Sequence, residues 1–220
     1  MKLAWVKWSV LPSAILLAAT VGIAQQQSGS QGSSSTPAQS ATPAPKADPT
    51  VAQRKENQQD RIANGVKTGQ LTAGETANLE TKEAAINGET KADRAANGGK
   101  LTGTEKKQVN QQQNQLSKQI YQDKHNANTA HYGNNKVGQR RENQQDRIAQ
   151  GVKSGQLTAG ETAKLENQQR GINQQVKADR AANGGKLTAG EKQQVNREQN
   201  HASKNIYKKK HNGRTQGGTK

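Results

Sequence analysis

One pattern, G-x-L-T-x-x-E, occurs four times in this chain, at 69–75, 99–105, 155–161 and 185–191. A Thr followed three residues later by Glu is a capping box. The Thr hydroxyl accepts from the N3 amide, and the Glu carboxylate reaches back to the Thr amide. Thr72/Glu75, Thr102/Glu105, Thr158/Glu161 and Thr188/Glu191 therefore each predict a helix start. Stop signals lie just upstream, at Asn64-Gly65, Asn97-Gly98, Gly151 and Asn183-Gly184, because Gly enters the left-handed conformation that ends a helix. Stop, short loop and start describe four helix–loop–helix joints.

The joints belong to a longer repeat. Residues 56–62, ENQQDRI, return at 142–148, and KADR at 91–94 returns at 177–180. Ile120-Tyr121 returns as Ile206-Tyr207, and Lys124-His125-Asn126 as Lys210-His211-Asn212. The offset is constant, and about 50 of roughly 71 aligned positions match, which is the mark of a tandem duplication of one folding unit. Each unit reads as three helices. The first ends near Asn64 or Gln150, the second starts at Thr72 or Thr158, and the third starts at Thr102 or Thr188. Apolar residues fall at separations of seven and four, such as Leu79 and Ile86, or Val109, Leu116 and Ile120, which places them on one helical face. Nothing alternates with period two.

The expected fold class is therefore all-α, a duplicated three-helix unit with EF-hand-like joints. The expected organisation is a signal peptide at 1–24, a Gln/Ser/Pro/Ala linker at 25–49 and a first unit at 50–126. A linker at 127–139, a second unit at 140–212 and a disordered basic tail at 213–220 follow. The core is thin, with no Phe and only Tyr121, Tyr132 and Tyr207 as aromatics beyond the leader. The units are expected to need each other or a partner, since so little apolar surface must offset the chain entropy.

The joints resemble EF-hands. If each Glu is the twelfth loop residue, Gly69, Gly99, Gly155 and Gly185 fall at position six, and Leu71, Leu101, Leu157 and Leu187 at position eight. Positions one, three and five, where Asp or Asn is needed, read Asn64, Val66 and Thr68 in the first loop and Arg94, Ala96 and Gly98 in the second. The third loop reads Gln150, Val152 and Ser154, and the fourth Arg180, Ala182 and Gly184. A capped joint without metal is the preferred reading. The alternative is calcium held by Glu75, Glu105, Glu161 and Glu191 with backbone carbonyls.

At the start, Lys2 and Lys7 precede an apolar run from Val10 to Ile23, with Gly22 and Ala24 spaced for signal-peptidase cleavage. This predicts export, to the periplasm or beyond, with no transmembrane span after cleavage; an uncleaved anchor is the alternative. The absence of Cys excludes disulfides and thiolate metal sites.

Lys and Arg number 33 against 17 acidic residues, a net charge of +16. Such a chain attracts anions: nucleic acid, acidic glycans, phosphorylated or anionic lipid surfaces. No aromatics are interleaved for base stacking and no nucleic-acid-binding motif is present, so sequence-specific nucleic-acid binding is not expected. Arg140, Arg141, Lys208, Lys209 and Lys210 are the candidate anion contacts; the alternative is a solvated face.

His125 and His211 follow Tyr121 and Tyr207 by four residues, and a basic residue at a helix C-terminus complements the dipole. No metalloprotease, nucleophile-elbow or Walker motif occurs, so catalytic and cofactor-binding residues are assigned to none. Residues 54 to 212 resemble a group of uncharacterised exported bacterial helical-repeat proteins. These carry R-I-x-x-G-V-x-S-G-x-L-T-x-x-E and a closing I-Y-x-x-K-H-[ND], matched here by Arg147-Ile148, Gly151-Val152, Ser154-Gly155, Leu157-Thr158, Glu161, Ile206-Tyr207 and Lys210-His211-Asn212. The resemblance implies a bacterial envelope or secreted setting and a helical fold, and brings no activity. The expectation is a non-enzymatic interaction protein that binds anionic envelope or extracellular polymers, its oligomeric state open.

Overall fold

The computed structural model describes residues 50–216; the leader and linker expected at 1–24 and 25–49, and residues 217–220, lie outside them. The described residues form six helices and no strand: α1 (Val51–Lys67), α2 (Ala73–Ala96), α3 (Gly103–Lys124), α4 (Lys136–Lys153), α5 (Ala159–Ala182) and α6 (Ala189–Lys210).

Local chemistry sets the helix starts. All four Thr/Glu pairs form complete capping boxes, and Thr50 with Gln53 forms a fifth at α1. The Asn135 side chain caps α4 by accepting from the Gly138 amide at 3.1 Å. This cap starts α4 inside the stretch expected as linker, so 136–139 are helical.

The stops differ between joints. Asn97-Gly98-Gly99 and Asn183-Gly184-Gly185 end α2 and α5, with both glycines of each pair at positive φ. In the other two joints the expected stops are overturned. Gly65 and Gly151 lie within α1 and α4, which run on to Lys67 and Lys153, and the positive-φ residues are Gly69 and Gly155. Gly65 is there for space. A Cβ at 65 would stand 2.7 Å from Leu71 Cδ1, and one at 151 would stand 2.7 Å from Leu157 Cδ1. The joint folds its leucine back over the helix, and only Gly admits it.

Packing repeats with the sequence offset. The first half buries Ile62, Val66, Leu71, Leu79, Ile86, Val109, Leu116 and Ile120 as one cluster. The second buries Ile148, Val152, Leu157, Leu165 and Ile206, with Val137, Ile172, Val176, Leu187, Val195 and Ala202 beside them. Glutamines complete this thin core. Gln58 Nε2 donates to the Gln113 carbonyl (2.6 Å) and Gln113 Nε2 to the Val51 carbonyl (2.9 Å), joining α1 to α3. Gln144 and Gln199 repeat both bonds between α4 and α6. Each buried bond contributes about 1 kcal/mol net, and losing one partner costs more.

The halves meet through like helices, α2 on α5 and α1 on α4. The contacts are reciprocal. Ala149 enters the first half's core and Ala63, its counterpart, enters the second's. Gly74 of α2 lies under Arg170 of α5, and Gly160 of α5 lies under Ala84 of α2. A contact and its mirror, i to j and j to i, is the signature of a two-fold interface, here within one chain.

Two straps cross the first and third joints. The Ala130 amide donates to the Gly69 carbonyl (2.8 Å), and the Gln216 amide to the Gly155 carbonyl (2.9 Å). Gln216, within the tail expected to be disordered, is buried. The first strap then presses on α4, where a Cβ at Gly138 would meet the Tyr132 carbonyl oxygen at 1.9 Å.

Candidate functional site

The four joint glutamates are occupied by donors. Glu75 Oε2 accepts from the Thr72 amide (2.9 Å) and hydroxyl (2.7 Å), and Oε1 accepts from Asn126 Nδ2 (2.7 Å) and Asn128 Nδ2 (3.2 Å). Glu161 binds Thr158 and Asn212 in the same way. Glu105 and Glu191 accept from Thr102 and Thr188 and from Asn97 and Asn183. Backbone bonds from Thr102 and Thr188 hold the Glu105 and Glu191 carboxyls below the usual range. Partial burial of Glu75 and Glu161 is outweighed by their hydrogen bonds, and these too are held low. Their oxygens face N–H and O–H groups, the arrangement of a capped helix start. Among the described residues, no three His, Asp or Glu side chains gather as metal ligands.

These bonds also give the closing K-H-N residues a role that sequence reasoning missed. Asn126 and Asn212 reach back from the end of the third helix to the glutamate that starts the second. His125 Nδ1 lies 2.7 Å from the Tyr121 carbonyl and the two rings stack at 4.2 Å; His211 and Tyr207 do the same. The shared positions Asn126/Asn212 and Glu75/Glu161 were visible in the sequence, 51 residues apart in both halves.

The expected anion contacts do not form one patch. Arg140 and Arg141 sit near the start of α4, Arg140 bonded to Asn196 (3.3 Å) and to Asn200 of α6. Lys208 to Lys210 end α6, beside the other end of α4, and the Lys210 stem would lie 3.3 Å from a Cβ at Gly151. Lys208 is exposed, and Lys209 and Lys210 are half-buried. Arg141 is half-buried with its guanidinium carbon 5.4 Å from the Tyr132 ring centroid, a cation–π distance. Burial lowers its basicity, and the groups acting on its charge are Tyr132 and Arg180.

Arg141 helps to line a cleft of about 620 Å³ between the halves, walled by the first turn of α2, the strap, α4 and α5. Its cations are Arg141, Arg170 and Lys177, with His131 at the strap, and no Asp or Glu lines it. A second cleft, of about 510 Å³, lies between the start of α4 and the α5–α6 joint, with Lys136, Arg180, Lys186 and Lys192 around Val137 and Leu187.

The interface also buries carboxylates. Glu80, Glu83 and Glu166 are all fully buried. Gln59 Nε2 donates to Glu80 (3.1 Å) and Gln145 Nε2 to Glu166 (2.9 Å). Burial pushes Glu166 up to about 8, against the Gln145 bond. It pushes Glu83 up to about 7, against the Lys55 charge. Glu80 goes well above its ordinary range through burial, with Glu83 on the same helix and Glu166 across the interface adding to the rise. Nothing in the apolar spacing of the sequence marks these three residues as buried. No family model, curated protein or solved structure matches this chain.

Proposed function

We propose that the chain is a non-enzymatic, exported interaction protein, built by duplication of a three-helix unit, whose basic helical surface engages anionic envelope or extracellular polymers. The observation that carries this reading is how the charges are segregated. Glu80, Glu83, Glu161 and Glu166 are buried, and Glu75, Glu105 and Glu191 are committed to helix starts. Lys67, Lys106, Lys107, Lys153, Lys164, Lys186, Lys192 and Lys208 are exposed. Among the described residues the excess of basic over acidic side chains is thus larger at the surface than in the sequence, and a field of one sign concentrates polyanions nonspecifically.

Thermal unfolding by circular dichroism tests it, with a polyanion such as heparin, with calcium and with EDTA. The expected result is a melting temperature raised by the polyanion, the rise vanishing as salt is increased to about 0.5 M. Binding that ignores salt, or no binding, overturns the reading. A rise with calcium alone would assign the joints to a metal instead.

A further inference from the structure

The cleft between the halves differs from the rest of the basic surface in being built around a cation that the protein does not neutralise. Arg141 has a buried Nε with no acceptor among the protein's atoms, while the Tyr132 ring holds its guanidinium in place. A buried, unpaired arginine donor is costly. Arg170 and Lys177 are exposed at the rim, with no carboxylate partner among the described residues.

The other half builds the same corner with one cation and an acid. There Lys55 stands for Arg141 and Glu83 for Gln169, and the Glu83 carboxylate acts on the Lys55 charge. Ala84 stands for Arg170, so Gly160 is faced by a methyl group where Gly74 is faced by an arginine stem. One corner of the interface sets an acid near its single cation, and its counterpart holds two arginines and no acid.

We propose that this cleft binds one tetrahedral oxyanion, a phosphate group, with Arg141 at its base and Arg170 and Lys177 at its rim. This rests on the reading that the chain's partners are anions. The guanidinium's Nε is shut in, and its Nη groups, which make no hydrogen bond among the described residues, are the donors left for the oxygens of a phosphate. The phosphate is either free or esterified on a polymer.

The test is calorimetric titration of the full chain with inorganic phosphate and, separately, with polyphosphate. Arg170→Ala and Arg141→Lys install residues that the first half already uses in the same framework, so both variants should fold. Lys208→Ala lies outside the cleft. The expected result is saturable binding of one phosphate per chain, weakened about ten- to a hundredfold by Arg170→Ala and by Arg141→Lys, and unchanged by Lys208→Ala. Absence of saturation overturns the proposal, as does equal weakening by Arg170→Ala and Lys208→Ala, which would mean diffuse charge. Phosphate binding without polyphosphate binding supports the cleft as a free-phosphate site and removes the polymer reading. Polyphosphate binding unaffected by Arg170→Ala, with no phosphate binding, removes the cleft and leaves the surface reading standing.

Discussion

The two halves share a framework and differ where they touch. The Thr/Glu capping boxes, the positive-φ glycines of the joints and the glutamine staples of the core are the same in both. Differences concentrate in the middle of α2 and α5: TKEAA at 81–85 stands against NQQRG at 167–171. That stretch carries Glu83, Gln169, Ala84 and Arg170, the side chains at or beside the mutual interface. To the interface the first half contributes two buried carboxylates, Glu80 and Glu83, and the second contributes Glu166, its other buried carboxylate, Glu161, being held at the start of α5. The framework is fixed by local demands that each half must meet alone. The contact face is fixed only by its partner, so it is free to become complementary instead of identical.

Separating the halves breaks this comparison most severely. If the interface is self-complementary, residues 50–133 and 134–216 each form a homodimer through the faces now joined. The first-half dimer would bury Glu80 and Glu83 twice, four carboxylates in place of three. It should dissociate between about pH 5.5 and pH 8.5, whereas the second-half dimer, burying only Glu166 twice, should weaken less. Sedimentation equilibrium at the two pH values checks this; two fragments that stay monomeric throughout would deny the reciprocity.

A smaller effect is expected at the strap. The first half has Ala52 where the second has Gly138. Gly138→Ala drives a methyl into the Tyr132 carbonyl and should cost about 2–4 kcal/mol, or displace the strap. Ala52→Gly, on an exposed helix turn, should cost about 1 kcal/mol. Denaturant unfolding compares them, and exchange of the Ala130 amide reports whether its bond to Gly69 survives.

The smallest change makes the halves more alike. Glu83 and Glu166 are raised in the folded state, to about 7 and about 8. The folded chain therefore holds more protons than the unfolded chain between the ordinary carboxylate range and pH 8, and stability falls as pH rises through that window. Below it, the depressed Glu75, Glu105, Glu161 and Glu191 lose stability as they protonate, so the maximum lies on the mildly acidic side. Glu83→Gln, which copies Gln169, should raise the melting temperature at pH 8.5 by a few degrees, about 1 kcal/mol, and change it little at pH 5. Equal effects at both pH values would mean that the Glu83 charge is not what strains the interface.

Much of the fold was legible because it is local. A Thr and a Glu three residues apart satisfy their own amides, so Thr72, Thr102, Thr158 and Thr188 mark helix starts without reference to anything distant. The apolar spacing of Val109, Leu116 and Ile120 likewise shows the buried face. What failed was non-local. Gly65 looks like a stop because Asn-Gly often is one, and its true neighbour, Leu71, comes from the far side of the joint. The interface between halves escaped notice because it is faced with Glu and Gln, residue types that sequence patterns assign to water. Arg141 was singled out for its charge, but neither its place beneath Tyr132 nor its company with Arg170, 29 positions on, is written in spacing.

The mutual packing of α2 on α5 within one chain has a consequence for valency. In a dimer of identical subunits, any residue placed beside the axis appears twice, and any cleft it makes appears twice. Here the arginine over Gly74 is answered by an alanine over Gly160, so the charged corner exists once per molecule. A protein with two such corners would cross-link the strands of a polymer bound there; with one, a chain that bound a polymer through this corner would decorate a strand without bridging it to the next.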